Sequence, residues 1–402
     1  MTSDDPYTIR LYEPGDRAAF LELFDDVFGG GSEAWFRWKY LENPYVSHVP
    51  MYVAEHDGDL VGARPYMAFR LRMGEASPLG LQTGDTMVHP DHQRRGLFTR
   101  MTERSFEYYG DLAEDVLTFS VPNALSRPGY LKLGCREVGQ LTAAYRVQNP
   151  AALTDGLASR VAGAAAPLVA TGLRAQRLRT SPPTDVDVTH HDDVPAATLA
   201  GLYRKSVPDV AHALRDERFY DWRFARPDWE YETYLAYGRG TGNGRATEGE
   251  RGEEEGRGTE GERGAGREWE DSKEREDAEP IAGIVVGRQE QGGADVVALT
   301  DVVPLVGGGE RIRGLKALLS HITARETDAD LLLAAPSAIP KSLLYRYGFL
   351  LDDRLPLSAV ATPTVLVSRP FDGLEEPSWR LHGVQLDDPE SWLLTFAEHN
   401  GF

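Results

Sequence analysis

The strongest constraint on the fold of this chain is that its landmarks occur twice. Trp38-Lys39-Tyr40 with Pro44 returns as Trp222-Arg223-Phe224 with Pro227, an offset of 184 at the tryptophan. Tyr52-Val53-Ala54 returns as Tyr234-Leu235-Ala236 at 182, Val61-Gly62 as Ala282-Gly283 at 221, Arg95-Gly96-Leu97 as Arg313-Gly314-Leu315 at 218, and Gly134-Cys135 as Gly348-Phe349 at 214. Landmarks repeated in the same order mean one structural unit built twice. The jump from 182 to 221 places 39 extra residues in the hairpin that Asp57-Gly58 closes in the first copy. They are visible as the Gly-, Glu- and Arg-rich stretch 240–279, which carries too little apolar surface to order itself and reads as a disordered acidic insertion. The domain reading is therefore a first unit at 1–150, an Ala- and Leu-rich helical linker at 151–183, a second unit at 184–370 and a tail at 371–402.

Within the first copy, Tyr7 to Tyr12 alternates as a strand. Pro14-Gly15-Asp16 then opens a helix with Phe20, Leu23, Phe24, Val27 and Phe28 on one face, ended by Gly29-Gly30-Gly31. A short helix from Ser32 carries Trp35, Phe36, Trp38 and Tyr40, aromatic residues at a spacing that favours a core over a cleft lining. Two strands flank Asp57-Gly58, and Tyr66 to Met73 and Thr83 to Val88 extend the sheet. After a helix over Leu97 to Tyr109, a strand from Val116 to Val121 leads through Pro122-Asn123 to a short helix, Ser126 to Leu133, closed by Gly134. Leu141 to Val147 reads as the strand that completes the unit. The fold class is α/β with a mixed sheet in each of two tandem units.

The stretch from Gly84 to Met101 carries the chemistry. A short extended run turns at Pro90-Asp91, and Gln93-Arg94-Arg95-Gly96 then enters a helix. Helix starts present unpaired N–H groups and a positive dipole end, and Gly96 lets an anion approach the main chain. Gln93-Arg94-Arg95-Gly96-Leu97-Phe98 resembles the Q/R-x-x-G-x-G/A pyrophosphate loop of the GCN5-related N-acetyltransferase (GNAT) superfamily, although Phe98 stands where Gly or Ala is usual. Asn123, Tyr130 and Gly134 resemble that family's N-x-x-A-x-x-x-Y-x-x-x-G-F segment, with Cys135 in place of Phe. The order of elements over the first 150 residues is similar to the family's as well.

The resemblance implies an acetyltransferase that takes acetyl-CoA as acyl-donor substrate and a primary amine of a small molecule or peptide as acceptor, joined in a ternary complex. It implies that Met87 and Val88 hold the acyl carbonyl and pantetheine through the main chain. Gln93, Arg94, Arg95, Gly96, Leu97, Phe98 and Thr99 would hold the pyrophosphate, Asn123 would contact the CoA arm, and Tyr130 would protonate the leaving thiolate. The general base stays open between Asp85, His89, Glu55 and water. No metal-ligand spacing is present. The alternative from another class is an acyl-CoA-binding sensor or scaffold without turnover.

The second copy departs at each of these positions. Its loop reads Val306-Gly307-Gly308-Gly309-Glu310-Arg311, with an acidic residue where a phosphate would sit, and Ser337 and Leu344 match Asn123 and Tyr130. It is therefore expected to be non-catalytic. The tail is too short for the sterol-carrier-like third domain of similar tandem enzymes, whose terminal carboxylate reaches the active site, so Phe402 is a remote candidate for the base.

Composition excludes some partners. With 43 Lys and Arg against 63 Asp and Glu, the net charge is −20, which argues against nucleic acid or an anionic membrane surface. Only six of the cations are lysines, an acidic and arginine-rich balance that resembles proteins of halophilic archaea. One cysteine, Cys135, and no apolar run of membrane-spanning length lead to the expectation of a cytoplasmic protein. Oligomeric state is not legible.

Overall fold

A computed structural model describes residues 5–112, 114–149, 183–239, 279–359, 361–371 and 378–401. Most of the expected linker and insertion, together with Phe402, lie outside the described residues. The first helix, Arg17–Phe28, buries Phe20 and Leu23, and Gly29, Gly30 and Gly31 leave it with φ of 74°, 80° and 96°. Ser32 Oγ accepts from Trp35 N at 3.1 Å and caps Glu33–Phe36, which runs on into a π-turn at Arg37–Leu41. Phe36, Trp38 and Tyr40 from these turns are all but fully buried, so the aromatic cluster is core.

Asp57 and Gly58 both take positive φ, 52° and 93°, as a two-residue hairpin turn requires. The strand that follows, Asp59–Arg72, is a single element of 14 residues, longer than the two short runs read from the sequence. The expected strand Thr83 to Val88 is instead broken into Leu79–Thr83 and Met87–Val88. Asp85, at φ 51°, turns the chain out of the ladder between them.

Two large sheets form, and the halves trade strands. Ala144–Val147 lies in the seven-stranded sheet, antiparallel to Leu331–Ala334 and to Leu350–Leu351. Thr364–Pro370 lies in the nine-stranded sheet, between Val116–Ser120 and Arg136–Leu141. His212–Ala213 also joins that sheet, on Leu71 and Arg72. The expectation that Leu141 to Val147 completes the first unit is therefore corrected: the run breaks at Thr142-Ala143 and its second part crosses over. Boundaries drawn at 150 and 370 do not separate the sheets. The physical reason is that the fully buried strand Val116–Ser120 would otherwise present an unpaired edge, and each half covers this edge of the other.

The repeat is visible as paired geometry. Trp38 Nε1 donates to Trp222 O at 2.7 Å and Trp222 Nε1 donates to Trp38 O at 2.8 Å, with the indoles stacked 6.1 Å apart. Equivalent residues that exchange equivalent bonds define a pseudo-twofold contact. Likewise Cys135 N donates to Tyr130 O and Phe349 N to Leu344 O, past Gly134 at φ 80° and Gly348 at φ 87°. The same helix ending thus occurs in both halves.

Candidate functional site

The parallel strands Leu79–Thr83 and Val116–Ser120 stay paired as far as Gln82 and Phe119, and then part. One chain turns out through Gly84, Asp85 and Thr86 and rejoins the long strand as Met87 opposite Ala63 and Val88 opposite Gly62. The other leaves through Val121, Pro122 and Asn123. Between them opens a cavity of about 420 Å³, walled by Gln82 to Thr86, Val121 to Asn123, Ser126, Tyr130, the helix residues Phe24 and Phe28, and the tail residues His399, Asn400 and Gly401.

Tyr130 projects into this opening from the short helix Arg127–Lys132. It is 5% exposed, and its hydroxyl accepts from Arg64 Nη1 at 2.7 Å and donates to Thr83 Oγ1 at 2.8 Å. Arg64, fully buried, also donates to Thr86 Oγ1 at 2.8 Å and lies 4.9 Å from the Tyr130 ring. Burial acts to lower the guanidinium pKa, but Tyr130 and Tyr66 outweigh it, so Arg64 stays charged. The sequence reading missed Arg64 and Thr83. The signal for Arg64 was a lone arginine in the apolar run Leu60 to Ala68.

Phe98 now has an explanation. Its ring meets Tyr130 edge-on at 5.6 Å and Arg64 at 5.1 Å, and a Cβ at Gly129 would stand 2.9 Å from it. The residue that departs from the family pattern therefore holds the Tyr130–Arg64 pair in place, and Gly129 is what leaves room for it.

The anion loop is open to solvent. Gln93, Arg94, Arg95, Gly96 and Thr99 are exposed, and Gly96 precedes the helix Leu97–Gly110 at φ 76° with open space where a Cβ would stand. Arg94 also takes a positive φ, 62°. Gln93 Nε2 donates to Val88 O at 3.3 Å and Arg95 Nη2 to Asp91 O at 3.4 Å, bonds that brace the loop from within. Leu97 is a core residue at 1% exposure and Met87 at 2%, so either can serve a ligand only through its main chain. Asn123 spends its side-chain oxygen on the N–H groups of Leu125 and Ser126, at 3.0 and 2.9 Å, capping the turn into the short helix.

Of the three side chains considered for the base, only Asp85 lines the cavity. It is already held by the buried Lys39 ammonium, by Tyr40 Oη at 2.7 Å and by Asn400 Nδ2 at 3.4 Å. Its oxygens are occupied by these three donors, with which a substrate amine would have to compete. Glu55 pairs with Arg10 at 3.1 Å, and His89 caps the turn at Asp91. The tail also reaches the cavity and is anchored there by its main chain. Gln82 Nε2 donates to Glu398 O, Arg223 Nε to Ala397 O at 2.7 Å, Arg223 Nη2 to His399 O at 3.1 Å and Arg226 Nη1 to Asn400 O at 3.1 Å. A Cβ at Gly84 would overlap the Asn400 amide. Among the described residues, one His and carboxylate group has converging donor atoms, His190, Asp192 and Glu232. It lies outside the cavity lining, with His190 Nε2 bonded to Glu232 at 2.6 Å.

The corresponding features of the second half are closed. Gly314, the counterpart of Gly96, sits inside the helix Gly309–Arg325, where a Cβ would be 2.7 Å from Ala282 Cβ. Arg311 is buried and donates to the carbonyls of Pro304, Leu305 and Ala338. Beyond Leu299 and Ala334, where the second parallel pair ends, the tail fills the gap. Thr395 Oγ1 donates to Asp301 at 3.0 Å and Ser337 Oγ to Leu394 O.

A family model and several solved structures are similar to this chain. Residues 8–138 match the family model of the acetyltransferase (GNAT) domain, so the chain carries a GNAT domain over its first third. Its mixed α/β fold is similar to that of three solved proteins. A probable N-acyltransferase from Enterococcus faecalis has a TM-score of 0.58 at 9% identity, over 91% of this chain and 73% of that one. A GCN5-related N-acetyltransferase from Anabaena variabilis has a TM-score of 0.53 at 8% identity, over 92% and 73%. A third, from Kribbella flavida, has a TM-score of 0.51 at 13% identity, over 91% and 71%. No curated protein matches the chain in sequence. Among the described residues no helix is long and apolar enough to cross a membrane.

Proposed function

We propose that this chain is an N-acetyltransferase that moves an acetyl group from acetyl-CoA to a primary amine of a small molecule or peptide within a ternary complex. The observation that carries the reading is Tyr130, whose hydroxyl is held by Arg64 and Thr83 in the one splay of parallel strands that leads to an open anion loop. The loop's free N–H groups and Arg94 and Arg95 would take the pyrophosphate, and the main chain at Met87 and Val88 the pantetheine. The amine nitrogen attacks the thioester carbon, the tetrahedral intermediate collapses, the C–S bond breaks and the thiolate takes the proton of Tyr130. The phenolate left behind is offset by the adjacent guanidinium. With Asp85 committed to Lys39 and Tyr40, the proton released by the amine passes to water in this scheme.

Acetyl-CoA should raise the thermal melting midpoint, and an amine-library screen following thiol release should find an acceptor. No stabilisation by acetyl-CoA would sink the reading. Stabilisation with no acceptor found would leave a sensor that binds acyl-CoA without turnover.

A further inference from the structure

A second cavity, of about 270 Å³, lies at the end of Leu331–Ala334, on the side where that strand pairs with Ala144–Val147. Its walls come from places that only the tertiary fold unites: the crossover at residues 140–145, the end of Leu331–Ala334, Lys341 at the start of the helix that follows, Thr364 and the tail. Tyr145, Trp392, Leu394 and Phe396 supply an apolar face, and Gln140, Thr142, Ser337, Lys341, Thr364 and His399 bring polar groups to the wall. It shares only His399 with the first cavity, so it is a separate room. A CoA phosphate has no seat there, because Arg311 is spent on carbonyls and Gly314 is inside a helix.

The lining has the make-up of a site for an amphipathic small molecule, an aromatic and aliphatic face beside polar groups. Burial keeps His399 neutral, pushing it down to about 4, so Lys341 is the cation of the wall. Its ammonium is half exposed and 3.4 Å from Asp353, a pairing loose enough to yield to a ligand's anion. We propose that this cavity binds a small amphipathic carboxylate, its apolar body between Tyr145, Trp392 and Phe396 and its carboxylate at Lys341. The proposal does not depend on the acyl-transfer reading.

Phenylacetate titrated into the full chain by calorimetry is the test, with 2-phenylethanol as its neutral counterpart. Saturable binding of phenylacetate is expected. It should be at least tenfold weaker for 2-phenylethanol and for Lys341→Gln, and lost in Ala335→Leu, which fills the cavity. Lys341 is at the surface, so its substitution leaves folding intact even if Ala335→Leu does not fold. No saturable binding, or equal binding of the two probes, or undiminished affinity in Lys341→Gln overturns the assignment. Acetyl-CoA stabilisation is measured separately, so the two readings fail independently.

Discussion

Tyr130 and Arg64 act as a unit, because the guanidinium that donates to the phenol is buried with it and bridges to Thr86. Tyr130→Phe keeps the ring that packs on Phe98 and removes only the proton donor. It is expected to lower kcat by about 10²-fold or more while leaving the acetyl-CoA-induced melting shift unchanged. A steady-state assay with the cognate amine checks this, and an unchanged kcat removes Tyr130 from the chemistry. Arg64→Met leaves the hydroxyls of Tyr130 and Thr86 without their donor inside the protein, at a cost of about 1–3 kcal/mol of stability in denaturant titration.

His212 gives a second residue-scale expectation. It is fully buried against Tyr203, with Arg72, Arg215 and Glu398 around it, and burial, with Arg215 adding, pushes it down to about 4. A folded value below the ordinary 6.5 means that the unfolded chain binds the extra proton first. Stability from the neutral ring is therefore whole above about pH 6.5 and is lost as pH falls toward 4. The melting midpoint should decline over that window, and less steeply in His212→Gln. An identical decline in the variant would assign the effect to other groups.

At the scale of elements, the two glycines that the repeat aligns do different work. Gly96 has positive φ and open space before a helix, whereas Gly314 lies within a helix and against Ala282. Gly96→Val strains the loop by about 1–2 kcal/mol and should abolish the acetyl-CoA-induced melting shift. Gly314→Ala should lower the melting midpoint through overpacking and leave that shift intact. Loss of the shift in both would show that the second half binds the donor too. The Asn123 turn is another local device, legible from its spacing to Tyr130, although its side-chain oxygen caps a turn.

For the whole molecule, the halves are joined by the exchanged strands, by the Trp38 and Trp222 pair and by the tail. Arg215 ties the tail in with no exposure at all, bonding Asp301 at 3.0 Å and Glu398 at 2.7 Å. Trp38→Phe and Trp222→Phe each remove one of two reciprocal donors. A double-mutant cycle in denaturant should return a coupling of about 0.5–3 kcal/mol, and additive effects would mean that the contact is incidental. In this arrangement the closed second half has a use: Arg223 and Arg226 hold the segment that walls the first half's cavity.

The sequence by itself determined what depends on neighbours along the chain. The repeat is legible from matching landmarks in matching order, and the Asp57-Gly58 turn, the glycine-led loop and the Tyr130-to-Gly134 helix ending follow from dihedral preference and helical spacing within a few residues. Tertiary structure decided which strand entered which sheet, because two alike halves offer each strand two sites of nearly equal fit, and burial of whole edges makes the choice. It also set Arg64 on Tyr130, 66 residues away, and Gln82 on Glu398, 316 residues away. Such pairs arise from packing among distant buried groups, and no periodicity in the chain encodes them.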